Sequence, residues 1–345
     1  MRIGIMGAGN IAAVHLGAVR ATVGAELVGL HDIAADRART TAATFGCRAF
    51  SSPASLYRNV DAVVVASPNH THHAIATDAV RLGKHVLCEK PMAVSTTEAA
   101  AMARAVRDTG LRCVVGFNYR FLDVAERMRQ LISSEELGRP LMVEAAFRRG
   151  SALTRSTFTW RDSAQGRSTS GALGDLGVHL IDLLHFLFRA QVDTASCVTR
   201  LRTHIPEKEG RAVDVDDDAF VAGRLGSGMY FQLTASKATL PEETGLFLKV
   251  VCTRGEFVYH SREDRTLLVR PGTEWHRESL PPPGPTADPS GEVPGWADSF
   301  HRQLGEWVDV VVHGKESDRL ADFEDGLRAQ LVLARLLEVR AEGPV

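Results

Sequence analysis

The sequence predicts an α/β chain of two domains: an N-terminal doubly wound parallel sheet, then a C-terminal α+β domain with an open, mostly antiparallel sheet. Three observations carry this. The 345 residues exceed the ~250 to 300 at which a single hydrophobic core usually stops growing. Up to about residue 118, short runs of Val, Ile, Leu and Ala alternate with amphipathic segments, the βαβ rhythm of a sheet covered on both faces. Beyond that point alternating apolar and polar stretches separated by turn signals read as antiparallel strands. The division is drawn at 1–118 and 119–345.

In order, the parallel strands are expected at 3–6, 27–30, 62–66, 85–88 and 113–115, with helices at 11–21, 35–45, 72–82 and 97–108. A helix at 121–133 and a strand at 141–147 open the second domain, followed by an Arg-rich loop and a glycine-flanked helix at 175–188. Strands are predicted at 192–203, 218–225, 229–235, 247–252 and 255–259, with Gly226-Ser227-Gly228 turning between two of them. Residues 281–296 hold six of the 14 prolines and read as a surface excursion, either a plain loop or a lid. Helices at 296–312 and 323–341 close the chain.

Composition narrows the function classes. Hydrophobic residues make up 44% and charged ones 24%, as in an ordinary folded protein. Lys plus Arg (40) nearly balance Asp plus Glu (42), so no field selects nucleic acid or an anionic membrane as partner. No run approaches the ~18 to 20 apolar residues of a membrane span, and glycine comes too early in Met1–Gly7 for a signal peptide, so a cytoplasmic protein is expected. Five scattered cysteines, without a Cys-x-x-Cys, indicate neither a disulfide framework nor a cysteine zinc site.

The motifs carry the chemistry. Gly7-Ala8-Gly9-Asn10-Ile11-Ala12 follows a strand and opens a helix, giving G-x-G-x-x-A, the fingerprint of a Rossmann dinucleotide site. One glycine makes the turn, the next lets backbone approach a pyrophosphate, and a small third residue lets helix pack on strand. Asp32 ends the next strand, 20 residues on, where a carboxylate accepts from ribose hydroxyls and repels the extra phosphate of NADP. NAD is the expected cofactor and NADP the less favoured one, although Arg37 and Arg39 stand where either would meet that phosphate. A second strand end carries Ser67-Pro68-Asn69-His70-Thr71-His72-His73 and should border the same cofactor. Three histidines raise the alternative of a metal, but no carboxylate or cysteine follows at ligand spacing and no metal is assigned.

Strand 85–88 runs into Glu89-Lys90-Pro91, which puts Lys90 at the carboxyl edge of the sheet. An ammonium there stabilises alkoxide character as hydride leaves carbon; the plainer alternative is an exposed lysine paired with Glu89. On the 175–188 helix Asp175, His179 and Asp182 fall at i, i+4 and i+7 on one face, with glycines at 171, 174 and 177 around its start. A histidine beside a carboxylate is a base near neutral pH. A packed helix with a hydrogen-bonded core histidine, or a metal held by two carboxylates and the histidine, are the alternatives.

These residues together resemble the Gfo/Idh/MocA oxidoreductases, which include glucose-fructose oxidoreductase and the inositol dehydrogenases. The likeness takes in the Gly7–Ala12 turn, Asp32, Ser67-Pro68-Asn69 with His72, Gly83–Pro91, Gly116 with Arg120-Phe121, Leu137-Gly138 and Gly174–Asp182. It departs where Ala172 replaces a glycine and Glu338-Val339-Arg340 replaces a serine-containing helix end. The resemblance implies a cofactor site of Gly7, Gly9, Asn10, Ile11, Asp32, Ser67, Pro68, Asn69, His72, Glu89 and Lys90. It implies Lys90, Asp175 and His179 at the reacting carbon of a sugar or cyclitol, with Tyr119, Arg120, Trp160 and Arg161 as further substrate contacts. It also implies a homodimer or homotetramer built through the open sheet. The expected activity is NAD-dependent hydride transfer at a ring hydroxyl or ketone of a sugar, cyclitol or glycoside. The rivals are an NAD-assisted glycoside hydrolase and a non-catalytic NAD-binding sensor. Six arginines between Arg139 and Arg167 face only Glu144 and Asp162 as acids, which suits a phosphate-bearing substrate or, equally, a solvated loop or subunit contact.

Overall fold

The computed structural model describes residues 1–163, 171–263, 265–282 and 293–338. The chain divides into two units, Met1–Phe121 with Ala297–Gln330, and Leu122–Trp296 with the chain from Leu331 onward.

In the first unit β1 (Arg2–Met6), β2 (Glu26–His31), β3 (Arg48–Ala49), β4 (Ala62–Val65), β5 (His85–Cys88) and β6 (Cys113–Val115) form a parallel sheet in the order 3-2-1-4-5-6. The order reverses between β1 and β4, where an open α/β sheet leaves a crevice at its carboxyl ends. The crossovers run through α1 (Asn10–Ala21), α2 (Ala35–Phe45), the short α3 (Pro53–Tyr57), α4 (His72–Arg81) and α5 (Thr96–Val106). Helices on both faces explain why Ile3, Ile5 and Ala62 through Val65 are wholly buried and why these strands carry no polar alternation. Local chemistry sets the helix ends: Ser95 accepts from the Glu98 amide to start α5, and Gly46 stops α2 in the left-handed region at φ 62°. The short β3 and α3 lie in a stretch too brief to show a period and are missing from the sequence expectation.

The second unit contains α6 (Asp123–Ser133), β7 (Pro140–Arg148), a short α7 (Ser151–Thr154), a π-helical turn (Leu173–Gly177) leading into α8 (Val178–Phe188), and β8 (Val192–Arg202). A ribbon of β9 (Glu207–Lys208) and β10 (Arg211–Ala212) follows, then β11 (Asp218–Leu225), β12 (Tyr230–Ser236), β13 (Gly245–Cys252), β14 (Gly255–His260), β15 (Thr266–Pro271) and β16 (His276–Ser279). The eight-stranded sheet has the order 16-15-14-13-7-12-11-8, antiparallel throughout except where β7 runs parallel to β12. Val178 through Leu187 are all buried, the polar His179, Asp182 and His185 among them. Along the sheet, register places Met142, Tyr230, Phe220 and Val198 on one common face, where all four side chains are exposed.

The two closing helices depart from the expected division. Most of α9 (Trp296–His313) and the start of α10 (Phe323–Glu338) fold with the first unit, although sequence order assigned them to the second. The reason is the edge of the parallel sheet: β6 would be left with unpaired backbone groups. The Val115 amide donates to the Ala321 carbonyl at 2.8 Å, the Val115 carbonyl accepts from Gln303 at 2.9 Å, and the Arg112 carbonyl accepts from Trp307 Nε1 at 3.0 Å. Residues 283–292, which hold most of the proline-rich excursion, and Val339-Arg340 lie outside the described residues.

Candidate active site

The glycine turn forms as its residue types require. Gly7 has φ +112°, and a methyl group there would sit 2.6 Å from the Ala66 carbonyl oxygen. Around Gly9 the same methyl group would meet nothing within 4 Å, so backbone faces open space. Gly9 caps α1 without any side-chain hydrogen bond, and no acid occupies the first turn, so the amides of Asn10 and its neighbours remain for an anion. Asp32 adjoins this turn. Its Oδ2 accepts from the Ala8 amide at 2.9 Å, and its Oδ1 from the Ala34 amide at 2.8 Å and Arg37 Nη2 at 2.7 Å. Burial alone would raise its pKa, but Arg37 and the two amides outweigh it and hold the carboxyl below the usual range. A permanent anion at the end of β2 and an uncapped helix start fit a dinucleotide.

Asp32→Ser should weaken discrimination against NADP, because it removes the charge that repels a 2′-phosphate and frees Arg37 to meet one. It should also cost overall affinity, since the Ala8 amide loses its acceptor. Titration calorimetry with both nucleotides measures this, and wild type binding both equally would exclude the role assigned to Asp32.

The other sequence-predicted cofactor residues separate into rims and supports. Ser67 and Pro68 border the glycine turn: the Ser67 amide lies 3.1 Å from the Gly7 methyl position. Asn69 is 8% exposed. His72, expected at the cofactor, has both ring nitrogens at backbone carbonyls. It is buried, with Nε2 2.9 Å from the Ser67 carbonyl and Nδ1 3.0 Å from the Pro91 carbonyl, so it ties the turn after β4 to the turn after β5. Glu89 departs in the same way. Its buried carboxylate takes His15 Nε2 at 2.7 Å and the Lys90 amide at 3.2 Å, bracing α1 against the strand end that presents Lys90. Lys90 itself is half-buried at the carboxyl edge of β5.

Tyr119 is 2% and Arg120 4% exposed. Arg120, expected to meet substrate, instead donates from Nη1 to Asp325 Oδ2 at 3.2 Å and to the Arg319 carbonyl at 3.4 Å, fastening β6's exit to α10. Burial would raise the Asp325 pKa, but Arg120 and Arg328 outweigh it and depress it. A depressed carboxyl contributes stability that is complete above its ordinary value of 3.8 and is lost as pH falls below it. Breaking this pair should therefore be costly at neutral pH: Arg120→Met is expected to destabilise by about 3 kcal/mol in urea unfolding, with the deficit shrinking as the buffer is taken below pH 3.8. A deficit that does not depend on pH would deny the pair its electrostatic part.

In the second unit the Asp-x-x-x-His element is present but is not the regular helix expected. Asp175 lies in the π-helical turn, and His179 begins the α-helical part after it. Gly177 permits the wide turn, because a methyl group there would meet Leu173 Cδ1 at 2.7 Å. His179 is 5% exposed, its ring edge-on to Phe147 of β7 at 6.3 Å between centroids. Asp175 is one-third exposed and pairs with Lys237, whose Nζ lies 3.1 Å from Oδ2. Lys237, just past β12, was not singled out by the sequence reading. Its backbone is pinned on both sides, the amide to the Asp217 carbonyl and the carbonyl to the Ala152 amide, each at 2.7 Å. Trp160 is 37% exposed, and the Arg161 guanidinium stacks over it at 4.3 Å. The adjacent Asp162, one of the two acids expected among the arginines, is buried. It takes both Arg155 terminal nitrogens at 2.5 and 2.7 Å and Lys208 Nζ at 3.3 Å. Burial would raise its pKa, but the bonds from Arg155 and Thr159 hold it well below the usual carboxylate range. Arg167, the last of the arginines in the expected basic stretch, lies outside the described residues. The cysteines are all free, and burial pushes the Cys113 thiol up to about 12, far from a thiolate nucleophile.

A nucleotide cradle at a topological switch point, followed by a lysine at the next strand edge but one, defines a dinucleotide-dependent oxidoreductase. Residues 1–117 match the NAD-binding Rossmann domain of the Gfo/Idh/MocA oxidoreductase family, and residues 129–344 match its C-terminal α/β domain. The chain belongs to this family. A glucose-6-phosphate 3-dehydrogenase of Bacillus subtilis (strain 168) is 38% identical over 337 residues, which cover 98% of this chain and 95% of the relative. Inositol 2-dehydrogenase 3 of Saccharopolyspora erythraea is 30% identical over 368 residues, 100% of this chain and 94% of that protein. Among solved structures, levoglucosan dehydrogenase in complex with NADH and levoglucosan superposes with a TM-score of 0.87 at 25% identity, covering 99% of this chain and 97% of the other. NAD is the cofactor of this chain, and no helix among the described residues is long and apolar enough to cross a membrane.

Proposed function

We propose that this protein oxidises a ring hydroxyl of a phosphorylated hexose. The observation that carries the reading is the set of Asp175 on the glycine-containing π-turn, His179 four residues on in α8 and Lys237 paired to Asp175, together with a strand-end lysine at the nucleotide edge. Lys90 donates to the hydroxyl oxygen and stabilises the charge that builds on it. His179 takes the hydroxyl proton, and Asp175, kept anionic by Lys237, orients it. NAD, when bound, supplies the acceptor for the hydride that leaves the carbinol carbon. The alcohol thereby becomes a ketone and one proton is released. The phosphate ester is favoured over a plain cyclitol by the 38% relative, whose name specifies a hexose phosphate, and by the basic character of the Arg148–Arg161 stretch.

A panel of sugars, cyclitols and hexose phosphates followed by NADH absorbance tests the reading. NADH formation with a hexose phosphate is the expected result, and glycoside cleavage without net NADH would replace it with NAD-assisted hydrolysis. We further propose self-association through the sheet face that exposes Met142, Phe220, Tyr230 and Val198. A monomer in sedimentation analysis would rule this out.

A further inference from the structure

We propose that His15 is a positioning residue for Lys90: it holds the buried Glu89 carboxylate, and that carboxylate fixes the backbone from which the Lys90 side chain leaves. The inference rests on the part given to Lys90 above and adds what keeps that lysine in place.

The arrangement lies wholly within the first unit. Glu89 follows directly on β5, and its amide still bonds the Val65 carbonyl at the end of β4, at 2.9 Å. One residue on, the Lys90 amide donates to a side chain instead, Glu89 Oε2 at 3.2 Å. The carboxylate thus takes over where the ladder ends. Its other oxygen, Oε1, accepts from Nε2 of His15, on the second turn of α1, at 2.7 Å. Gly116 closes a third side, because a methyl group there would lie 3.0 Å from Oε1 and 3.3 Å from Oε2. Moved from this slot, the carboxylate loses one of its two donors.

Glu89 is 5% and His15 1% exposed. A carboxylate so buried depends on its hydrogen-bond donors, and among the described residues His15 is the one side chain that donates to it. A histidine here carries a cost. Its Nδ1 has no hydrogen-bond partner among the described residues, and its ring stands edge-on to Phe300 of α9 at 5.2 Å between centroids. Leucine would fill so apolar a slot without leaving a nitrogen unmet, so packing alone does not call for imidazole. The bond to Glu89 does. A lysine side chain is long and flexible, and where its ammonium can reach is set by where its backbone stands. A donor to developing charge must be held at the oxygen, and a misplacement of ~1 Å can cost about 10²-fold in rate.

The test compares wild type with His15→Leu, His15→Gln and Gly116→Ala. Three quantities are measured: amide hydrogen exchange at Lys90 by NMR without substrate, NAD affinity by calorimetry, and kcat for NAD reduction by glucose 6-phosphate. His15→Leu should speed exchange at the Lys90 amide about tenfold and lower kcat about 10- to 100-fold, while NAD affinity stays within about twofold. Glutamine places an amide N–H near the position of Nε2, so His15→Gln should restore most of both. Gly116→Ala keeps every partner and crowds the carboxylate, and should shift both readouts the same way by less. It also keeps the proposal testable if leucine beside a buried carboxylate prevents folding, which thermal unfolding detects. In a Lys90→Met background His15→Leu should lower kcat no further, because the side chain it positions is gone. A full second loss in that background overturns the proposal. So does NAD affinity that falls in step with kcat, or wild-type exchange at Lys90 in the folded variants. If Lys90→Met turns over normally while exchange at residue 90 still depends on His15, the hold on the backbone stands and the chemical role of Lys90 fails. If no sugar reduces NAD, the dehydrogenase reading fails and the exchange rates alone decide whether His15 holds residue 90.

Discussion

His179→Asn is expected to lower kcat for sugar oxidation by about 10² to 10⁴, the usual worth of a positioned acid or base. Asparagine keeps the approximate size and polarity of imidazole but cannot accept the proton. The packing against Phe147 should therefore survive while the basicity is lost. In wild type the oxidation rate should rise with pH as the base loses its proton, and the variant should lack that limb. Asp175→Asn separates orientation from proton transfer. If the carboxylate only orients His179, its neutral amide should cost less than His179→Asn and leave the limb in place. If Asp175 is the base, its loss should be as severe, and the limb should vanish with it. The Lys237 ammonium 3.1 Å away makes the second outcome less favourable, because a carboxylate in an ion pair is a weak proton acceptor. Measuring kcat against pH for all three proteins decides this. Three wild-type profiles would mean that the π-turn helix is structural.

Lys90→Met is expected to reduce kcat by about 10² to 10³, the magnitude seen when one donor to a developing oxyanion is removed. An interaction that strengthens only as charge builds on oxygen lowers kcat when lost and leaves ground-state binding largely intact. NAD affinity by calorimetry should remain near that of wild type, because Asp32, the Gly7–Gly9 turn and the α1 amides are untouched. Met preserves the aliphatic length, and Glu89 keeps its bonds to His15 and to the residue 90 amide. The strand end should therefore stay in place. A variant with normal turnover would leave Lys90 as a half-buried strand-end cation without a part in the chemistry. A variant that cannot bind NAD would make it a cofactor ligand.

Glu89 and His72 show how far the sequence carries and where it stops. Both sit in motifs whose position at the carboxyl edge of the sheet follows from strand periodicity and from Pro91. Their side-chain partners could not be read there. Glu89 meets His15, 74 positions away, and His72 meets the Pro91 carbonyl, 19 positions away. The partner of Arg120 was illegible for the same reason, since Asp325 lies 205 residues along the chain. Lys237 and Lys208 stand in no motif. Each is a single lysine at the end of a short strand, and only packing gives it a carboxylate.

The sequence by itself determined the alternation of strand and helix through the first 118 residues, the glycine turn, the acid at the end of β2, the lysine after β5 and most of the antiparallel strands. These depend on short-range effects: side-chain period, the steric freedom of glycine, the missing donor of proline and the polarity of strand ends. Tertiary structure alone decided that residues 297–330 return to seal the β6 edge, that the Asp175 turn widens into a π-helix, and that Glu89, His72 and Arg120 serve as braces. It also decided that Lys237 comes to pair with Asp175. Such features depend on which buried donor or charge finds a partner far along the chain, and the cost of leaving one unpaired is settled only once the interior of each unit has packed.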